Sequence, residues 1–323
     1  MSQSLKVIFM GTPDFAVLSL AKIKESGIEI AGVITAPDKP AGRGKKNQAS
    51  AVKEYSVRQN IQPILQPANL KDETFLDQLR ELNADLFIVV AFRMLPEVVW
   101  RMPKFGTINL HASLLPQYRG AAPINWAIIN GEKKTGVTTF FIEKEIDTGN
   151  IIRQQEVEIL PDDTAGSLHD KLMHDGAELL TDTILNIQDG CYEAIMQKNL
   201  IGSSELKPAP KIFKEDCKIN WENSAENIYN FIRGLSPYPC AWTEFYNGGK
   251  DKIVFKIYFA EIEKNRPNSE PGTIIYTNKT VKVACADGYI NIKLIQQAGK
   301  KRMDTEAFLR GFNEKDKYTV ACF

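Results

Sequence analysis

The 323-residue sequence has few cysteines and no cysteine motif. Cys191, Cys217, Cys240, Cys285 and Cys322 are odd in number and widely spaced, and none forms Cys-x-x-Cys. This argues against a disulfide framework or a zinc ribbon and predicts free thiols in a reducing, cytoplasmic compartment. No apolar run reaches the roughly 18 residues that a membrane helix needs, so no membrane partner is expected. The opening "MSQSLKVIFMGTPDF" carries one Lys and an apolar run too short for a signal peptide; it reads as a first β-strand. "FMGTPDF" follows that strand but lacks Gly-x-Gly-x-x-Gly, and no Gly-x-x-x-x-Gly-Lys-Ser/Thr occurs anywhere. A dinucleotide fingerprint and a P-loop ATPase therefore have no support. Histidine is scarce. His169 and His174 stand five apart on a predicted helix, do not share a face as an i,i+4 pair would, and have no neighbouring His or Cys. No metal site is expected there.

Net charge is zero, which by itself argues weakly against nucleic acid, but its distribution is uneven. Up to Ser204 there are 21 Lys and Arg against 25 Asp and Glu; from Glu205 on there are 19 against 15. The basic second half is either ordinary surface variation or a module that touches a polyanion.

The first half alternates strands and helices. "LKVIFM", "IEIAGVIT", "LFIVVAF" and "GTINLHA" read as strands; "PDFAVLSLAKIKES", with Pro13 suited to a first helical turn, and "KDETFLDQLRELN" read as helices, with "PEVVWRM" a short one. This alternation predicts an α/β domain with a parallel sheet covered on both faces. "TAGSLHDKLMHDGAELLTDTILNIQDG" reads as one long helix closing it. "QKNLIGSSELKPAPKIFKE" reads as a linker, rich in turn formers. Beyond it come one helix, "SAENIYNFIRGL", and a run of short strands separated by turns, which predicts a small antiparallel barrel. The expected division is 1–204 and 205–323, with the linker at about 190–210.

In an open parallel sheet, ligands bind beyond the carboxyl ends of the strands. Asn109 and His111 lie at the carboxyl end of "GTINL", two residues apart on an extended strand and so on one side of it. The pair is either part of the packing or two convergent donors able to hold a developing oxyanion. A carboxylate that orients the imidazole is available in "EKEIDTGNI" as Asp147, although Asp-x-Gly is also an ordinary turn. The loop "APDKPAGRGKKNQ" carries Lys39, Arg43, Lys45 and Lys46 among glycines and prolines. It is either solvated or a grip for phosphate.

Taken together, "FMGTPDFA", "ITAPDKPAGRGKK", "NLHASLLPQYRGAAPINWAI", "EIDTGNI", "APKIFKED" and "GKKRMDTEAFLRG" resemble the methionyl-tRNA formyltransferase family, in order and through nearly the whole chain. "HASLLP" with Asn two before the His is shared by folate-dependent formyltransferases in general. The resemblance implies a Rossmann-like formyltransferase domain followed by a C-terminal OB-like tRNA-binding domain. It implies transfer of a formyl group from 10-formyltetrahydrofolate, without a metal, to the methionine amino group of initiator methionyl-tRNA for translation initiation. Asn109, His111 and Asp147 would be catalytic. Val90, Ala91, Phe92, Ser113, Leu114, Leu115 and Pro116 would bind the folate. Lys39, Arg43, Lys45, Lys46, Lys207 and Lys211 would face tRNA, with Arg43 reading the weak terminal pair. The chain is expected to act as a monomer. It departs from the family at Arg93, where Gly is common beside the folate wall, and at Cys217 and Cys240, where Gly is expected. A formyltransferase acting on a sugar-nucleotide amine or a purine precursor would share the catalytic trio. A 10-formyltetrahydrofolate hydrolase, with water in place of the amine, would not need the "PAGRGKK" loop, and a non-catalytic RNA-binding module would leave the trio unexplained.

Overall fold

The computed structural model describes residues 5–41, 46–202, 205–246, 252–312 and 319–320. Two compact units emerge. The first comprises Met1–Gly120, Thr135–Glu158 and His169–Pro208; the second comprises Ala121–Lys134, Ile159–Leu168 and Ala209–Phe323.

The chain begins with β1 (Lys6–Gly11), α1 (Asp14–Glu25) and β2 (Glu29–Ile34). A short ribbon of β3 (Lys39–Ala41) and β4 (Lys46–Gln48) follows, then α2 (Ala51–Arg58), β5 (Ile64–Leu65), α3 (Glu73–Glu81), β6 (Leu86–Val90), α4 (Glu97–Trp100) and β7 (Thr107–His111). α5 (Pro123–Ile129) belongs to the second unit. The chain then supplies the first unit with β8 (Lys134–Phe141), β9 (Ile151–Glu158) and most of α6 (Ala165–Gln188).

Local chemistry explains most helix starts. Ser50 and Asp72 accept hydrogen bonds from the amides of Lys53 and Phe75, satisfying donors that α2 and α3 cannot pair internally. α1 has no side-chain cap. Pro13 sits at its N-cap position, one place before the first helical turn in which the sequence pattern sets it. Its carbonyl accepts from the Ala16 amide.

The first sheet has the order β5-β2-β1-β6-β7-β8-β9. From β5 to β7 every pairing is parallel, as the alternation predicts. β8 departs from it and pairs antiparallel with β7, placing Phe140 beside Asn109 and Thr138 beside His111. Ile8 and Met10 of β1 pack with Phe75, Leu76 and Leu79 of α3. Val7 and Phe9, which point the other way, are fully buried too. Burial on both faces is why these strands read as continuous apolar runs.

The second unit continues with α7 (Ala225–Leu235), β10 (Ala241–Tyr246), β11 (Lys252–Glu263), β12 (Ile274–Tyr276), β13 (Val281–Ala284), β14 (Tyr289–Gln297) and β15 (Met303–Asp304). It ends with α8 (Thr305–Gly311) and β16 (Thr319–Val320). The path is β12-β13-β14-β11-β10-β16, with β15 on β14, and every pairing is antiparallel. Register shifts around Phe259, where β11 meets β14, bend the sheet, as bulges do. The result is a curled, OB-like half-barrel. Among the described residues its path stays open between β12 and β16. Its core gathers Trp221, Phe245, Phe255 and Phe308, and the rings of Phe308 and Phe312 stack at 4.8 Å. Trp221 donates its indole N–H to Thr243 Oγ1 at 3.0 Å, so the buried ring leaves no polar atom unpaired.

Residues 121–134 and 159–168 join this unit through buried polar contacts. Arg233 of α7, 4% exposed, donates to the carbonyls of Leu160 and Asp163 at 3.2 and 2.9 Å and to Asn230 Oδ1 at 2.8 Å. Asn125 of α5 donates to the Gly234 carbonyl at 2.7 Å.

Candidate functional site

β7 ends at His111, in the middle of the first sheet, and the chain leaves it directly into Ser113–Pro116. Asn109 is half-buried and His111 buried. Their i,i+2 spacing turns both side chains to one side of the strand. Among the described residues the Asn109 carboxamide has no hydrogen-bond partner. The His111 ring is hydrogen-bonded at Nε2 and faces a carboxylate at Nδ1. Nε2 lies 2.9 Å from the Tyr118 carbonyl, and since a carbonyl only accepts, Nε2 is the donor. Nδ1 lies 3.8 Å from Asp147 Oδ2, an ion-pair separation longer than a hydrogen bond. The ring also meets Phe140 edge-on at 6.5 Å.

Asp147 comes from the turn between β8 and β9. Its backbone is left-handed, with φ of 55°. Its Oδ2 accepts from the Gly120 amide at 2.9 Å. The turn closes tightly because residue 149 has no Cβ: one added there would stand 1.7 Å from the Phe141 carbonyl oxygen. The carbonyls of Asp147 and Gly149 both accept from Gln197 Nε2, at 2.8 and 2.9 Å. Gln197 Oε1 in turn accepts from Arg119 Nε and Nη2, at 3.1 and 2.6 Å.

The loop after His111 is pinned by side chains that the sequence motifs did not single out. Thr138 Oγ1 donates to the Ser113 carbonyl at 2.6 Å and accepts from the Leu115 amide at 3.2 Å. Gln154 Nε2 donates to the Leu115 carbonyl at 2.8 Å. Ser113 Oγ donates to the Gln117 carbonyl at 2.7 Å. Leu115 is buried with Phe140 and Ile151, and Leu114 fits closely because residue 136 is Gly: a Cβ there would stand 2.5 Å from Leu114 Cδ2. Pro116 follows a cis peptide bond and is buried.

Val90 pairs with Leu110 at the neighbouring strand end, Ala91 leaves β6 with φ of 47°, and Phe92 packs on the α3–α4 cluster. Arg93, in the place where the resemblance expects Gly, turns back onto the chain. It donates to the Ala68 carbonyl at 2.9 Å and to the Pro67 carbonyl. A cleft of about 350 Å³ runs along residues 64–78 and is lined by none of the expected site residues.

The structure thus gathers Asn109, His111 and Asp147, and sets the 90–92 and 113–116 segments at the adjoining strand ends. Lys39, Lys207 and Lys211 are exposed. The Lys207 carbonyl accepts from the Tyr118 amide at 2.7 Å. Lys46 lies in β4 with its side chain outside the described residues, and Arg43 and Lys45 lie wholly outside them. Gln197, Thr138 and Gln154 escaped the sequence reading, and Arg119, which that reading would turn toward a phosphate or a carboxylate, instead meets the Gln197 carboxamide. Gln197 sits in a stretch whose composition marks a linker, and nothing in its neighbours signals a buried side chain. Burial pushes the Cys240 thiol up to about 11 and also raises Cys217 and Cys285, which makes these three poor thiolate nucleophiles. Among the described residues no cluster of His, Cys, Asp and Glu has a metal-binding arrangement, and no helix is long and apolar enough to cross a membrane.

A polar group thus lies at the carboxyl end of a Rossmann-like sheet, in a chain that also carries an OB-like half-barrel. Residues 5–184 match the formyl transferase family and residues 211–313 match the formyl transferase C-terminal domain. The sequence is 54% identical to a methionyl-tRNA formyltransferase of Parabacteroides distasonis, over 98% of this chain and 99% of that one. It is 51% identical to that of Flavobacterium johnsoniae over the same shares. An N-formyltransferase from Helicobacter canadensis, solved with folinic acid and dTDP-3-aminofucose, shares the fold at a TM-score of 0.64 and 23% identity, covering 93% of this chain and all of that one. The chain belongs to the formyl transferase family, in its methionyl-tRNA formyltransferase branch.

Proposed function

We propose that this enzyme transfers the formyl group of 10-formyltetrahydrofolate to the amino group of methionine on initiator methionyl-tRNA, in the cytoplasm, for translation initiation. The observation that carries the reading is the meeting of Asn109, His111 and Asp147 at one strand end, in a chain about half identical to methionyl-tRNA formyltransferases over nearly its whole length. The folate supplies the formyl group and leaves as tetrahydrofolate. An unpartnered carboxamide beside a stiff apolar loop suits a flat ligand that carries a carbonyl. Val90, Ala91, Phe92 and Ser113 to Pro116 would hold it.

The neutral α-amine attacks the formyl carbon, and negative charge develops on the formyl oxygen. The Asn109 amide donates to that oxygen. His111 in its present contacts gives its Nε2 proton to Tyr118, so it becomes a second donor only when the ring leaves that carbonyl. Asp147 accepts the proton that the amine must lose, through a water, and the folate nitrogen gains one as the C–N bond breaks. Asp147 also faces Nδ1 and so orients the ring.

The division of labour proposed is catalysis within 1–204 and tRNA binding within 205–323, aided by Lys39, Arg43, Lys45, Lys46, Lys207 and Lys211. Each phosphate contact releases counterions, so tRNA affinity should fall steeply with salt while folate affinity should not. The deciding experiment supplies purified enzyme with 10-formyltetrahydrofolate and charged initiator methionyl-tRNA. Formyl-methionine on the tRNA supports the reading; formate release without it would favour a hydrolase, and inactivity with both substrates bound would overturn it.

A further inference from the structure

The turn that presents Asp147 is held from within by Thr148 Oγ1, which donates to the Glu145 carbonyl at 3.1 Å, and from outside by a distant side chain. Two backbone carbonyls of one turn, those of Asp147 and Gly149 on either side of Thr148, are fastened by a single side-chain amide group, Gln197 Nε2. The same carboxamide spends its oxygen on two N–H groups of Arg119. Every donor of this amide and both lone pairs of its oxygen are used, and the residue is 2% exposed. Rotating the carboxamide by half a turn would set its oxygen against two carbonyls and its NH₂ against a guanidinium. Arg119 therefore fixes which way Gln197 points.

The Gln197 backbone is fixed as well. It lies in the 3₁₀ turn Gln197–Asn199, just after the mutual amide–carbonyl bonds of Ile195 with Ile151 at 2.8 Å each way. The other side of Asp147 completes the clamp: its carboxylate accepts from the Gly120 amide, next to Arg119. One segment, residues 119–120, thus grips the Asp147 carboxylate directly and its backbone through Gln197.

We propose that Gln197, locked by Arg119, is the positioning residue that sets the Asp147 carboxylate against His111 for formyl transfer. The inference rests on the functional reading above, in which Asp147 orients the imidazole and takes the amine's proton. Gln197 touches neither the imidazole nor the reacting groups. It acts through the left-handed backbone of Asp147, a conformation that an L-residue seldom holds without support.

Gln197→Glu is the informative variant. It keeps the shape and the Arg119 contact, removes both N–H donors, and sets a carboxylate against two carbonyl oxygens. The turn must then open and the Asp147 carboxylate shift; misplacements of that order cost about 10²-fold in rate. The expected result is a loss of kcat of about that size, with KM for 10-formyltetrahydrofolate and for methionyl-tRNA within about twofold and a cooperative thermal transition retained. In the Asp147→Asn background, Gln197→Glu should add little further loss, because its effect passes through the group already removed. Should Gln197→Glu not fold, Arg119→Lys, which loses the two-pronged grip, is read by the same cycle. Unchanged kcat in the folded variant would overturn the proposal, and so would losses that multiply in the double variant. Full turnover by Asp147→Asn alone would instead sink the functional reading, and this inference with it.

Discussion

Asp147 Oδ2 stands 3.8 Å from His111 Nδ1, and the same oxygen accepts the Gly120 amide at 2.9 Å. The carboxylate faces the imidazole while anchored by backbone, so its direction is set before any substrate arrives. The opposite ring nitrogen is held by Tyr118 at 2.9 Å. The ring is therefore hydrogen-bonded at Nε2 and faces the carboxylate at Nδ1.

Replacing Asp147 by Asn keeps the shape and removes the proposed proton acceptor. Turnover should fall by about 10²–10⁴-fold, the usual worth of a general acid–base group. Steady-state kinetics across neutral pH check this. Full activity would leave Asp147 as a structural turn residue.

Asn109→Ala removes the donor that has no other partner among the described residues. The expected loss in kcat is about 10²–10³-fold, as for one oxyanion donor, with folate binding little changed. Turnover together with a fluorescence titration of folate separates the two effects.

Glu244 gives a pH test in the second unit. Hydrogen bonds from Lys252, Tyr246 and Lys218 outweigh burial and hold its carboxyl down at about 2, against an ordinary 4.5. A depressed carboxyl contributes its full stability above the unfolded value and loses it as pH falls through the folded one. The stability advantage of the native protein over Glu244→Gln should be constant above about pH 5 and shrink steadily toward pH 2. Urea melts of both proteins at several pH values would show it; an advantage independent of pH would mean that the ionised carboxylate is not what stabilises.

Arg233→Met keeps the bulk of a buried side chain and strips the donors from the Leu160 and Asp163 carbonyls and from Asn230. Leaving these acceptors unsatisfied should cost about 1–3 kcal/mol each at most, and a few kcal/mol in total. Chemical denaturation of the whole chain measures it. A change below about 0.5 kcal/mol, the level of an ordinary surface substitution, would show that water replaces the guanidinium.

Much of the site could be read from residue order because strand geometry is local. The i,i+2 relation of Asn109 and His111 and their place at a strand end follow from period-two alternation and from apolar runs that only a sheet buried on both faces would carry. Helix ends such as those at Ser50 and Asp72 are equally local, since a cap bonds an amide three residues on. β8 was harder to foresee. Its strand character is clear, but nothing in "GVTTFFI" says that it runs antiparallel to β7 or that Thr138 pins the following loop.

Sequence alone determined which residue types stand at the end of β7 and that a carboxylate waits in a Thr-Gly turn. These depend on interactions across a few residues. Tertiary structure alone decided that Asp147 meets His111 across 36 positions of chain, that His111 Nε2 is held by the Tyr118 carbonyl, and that Gln197 binds the Asp147 turn from 50 residues away. It also decided that residues 121–134 and 159–168 fold with the second unit. Each of these rests on buried polar groups finding partners far along the chain. A hydrogen bond of that kind requires a donor and an acceptor in register in space, and a linear pattern of side chains does not carry that register.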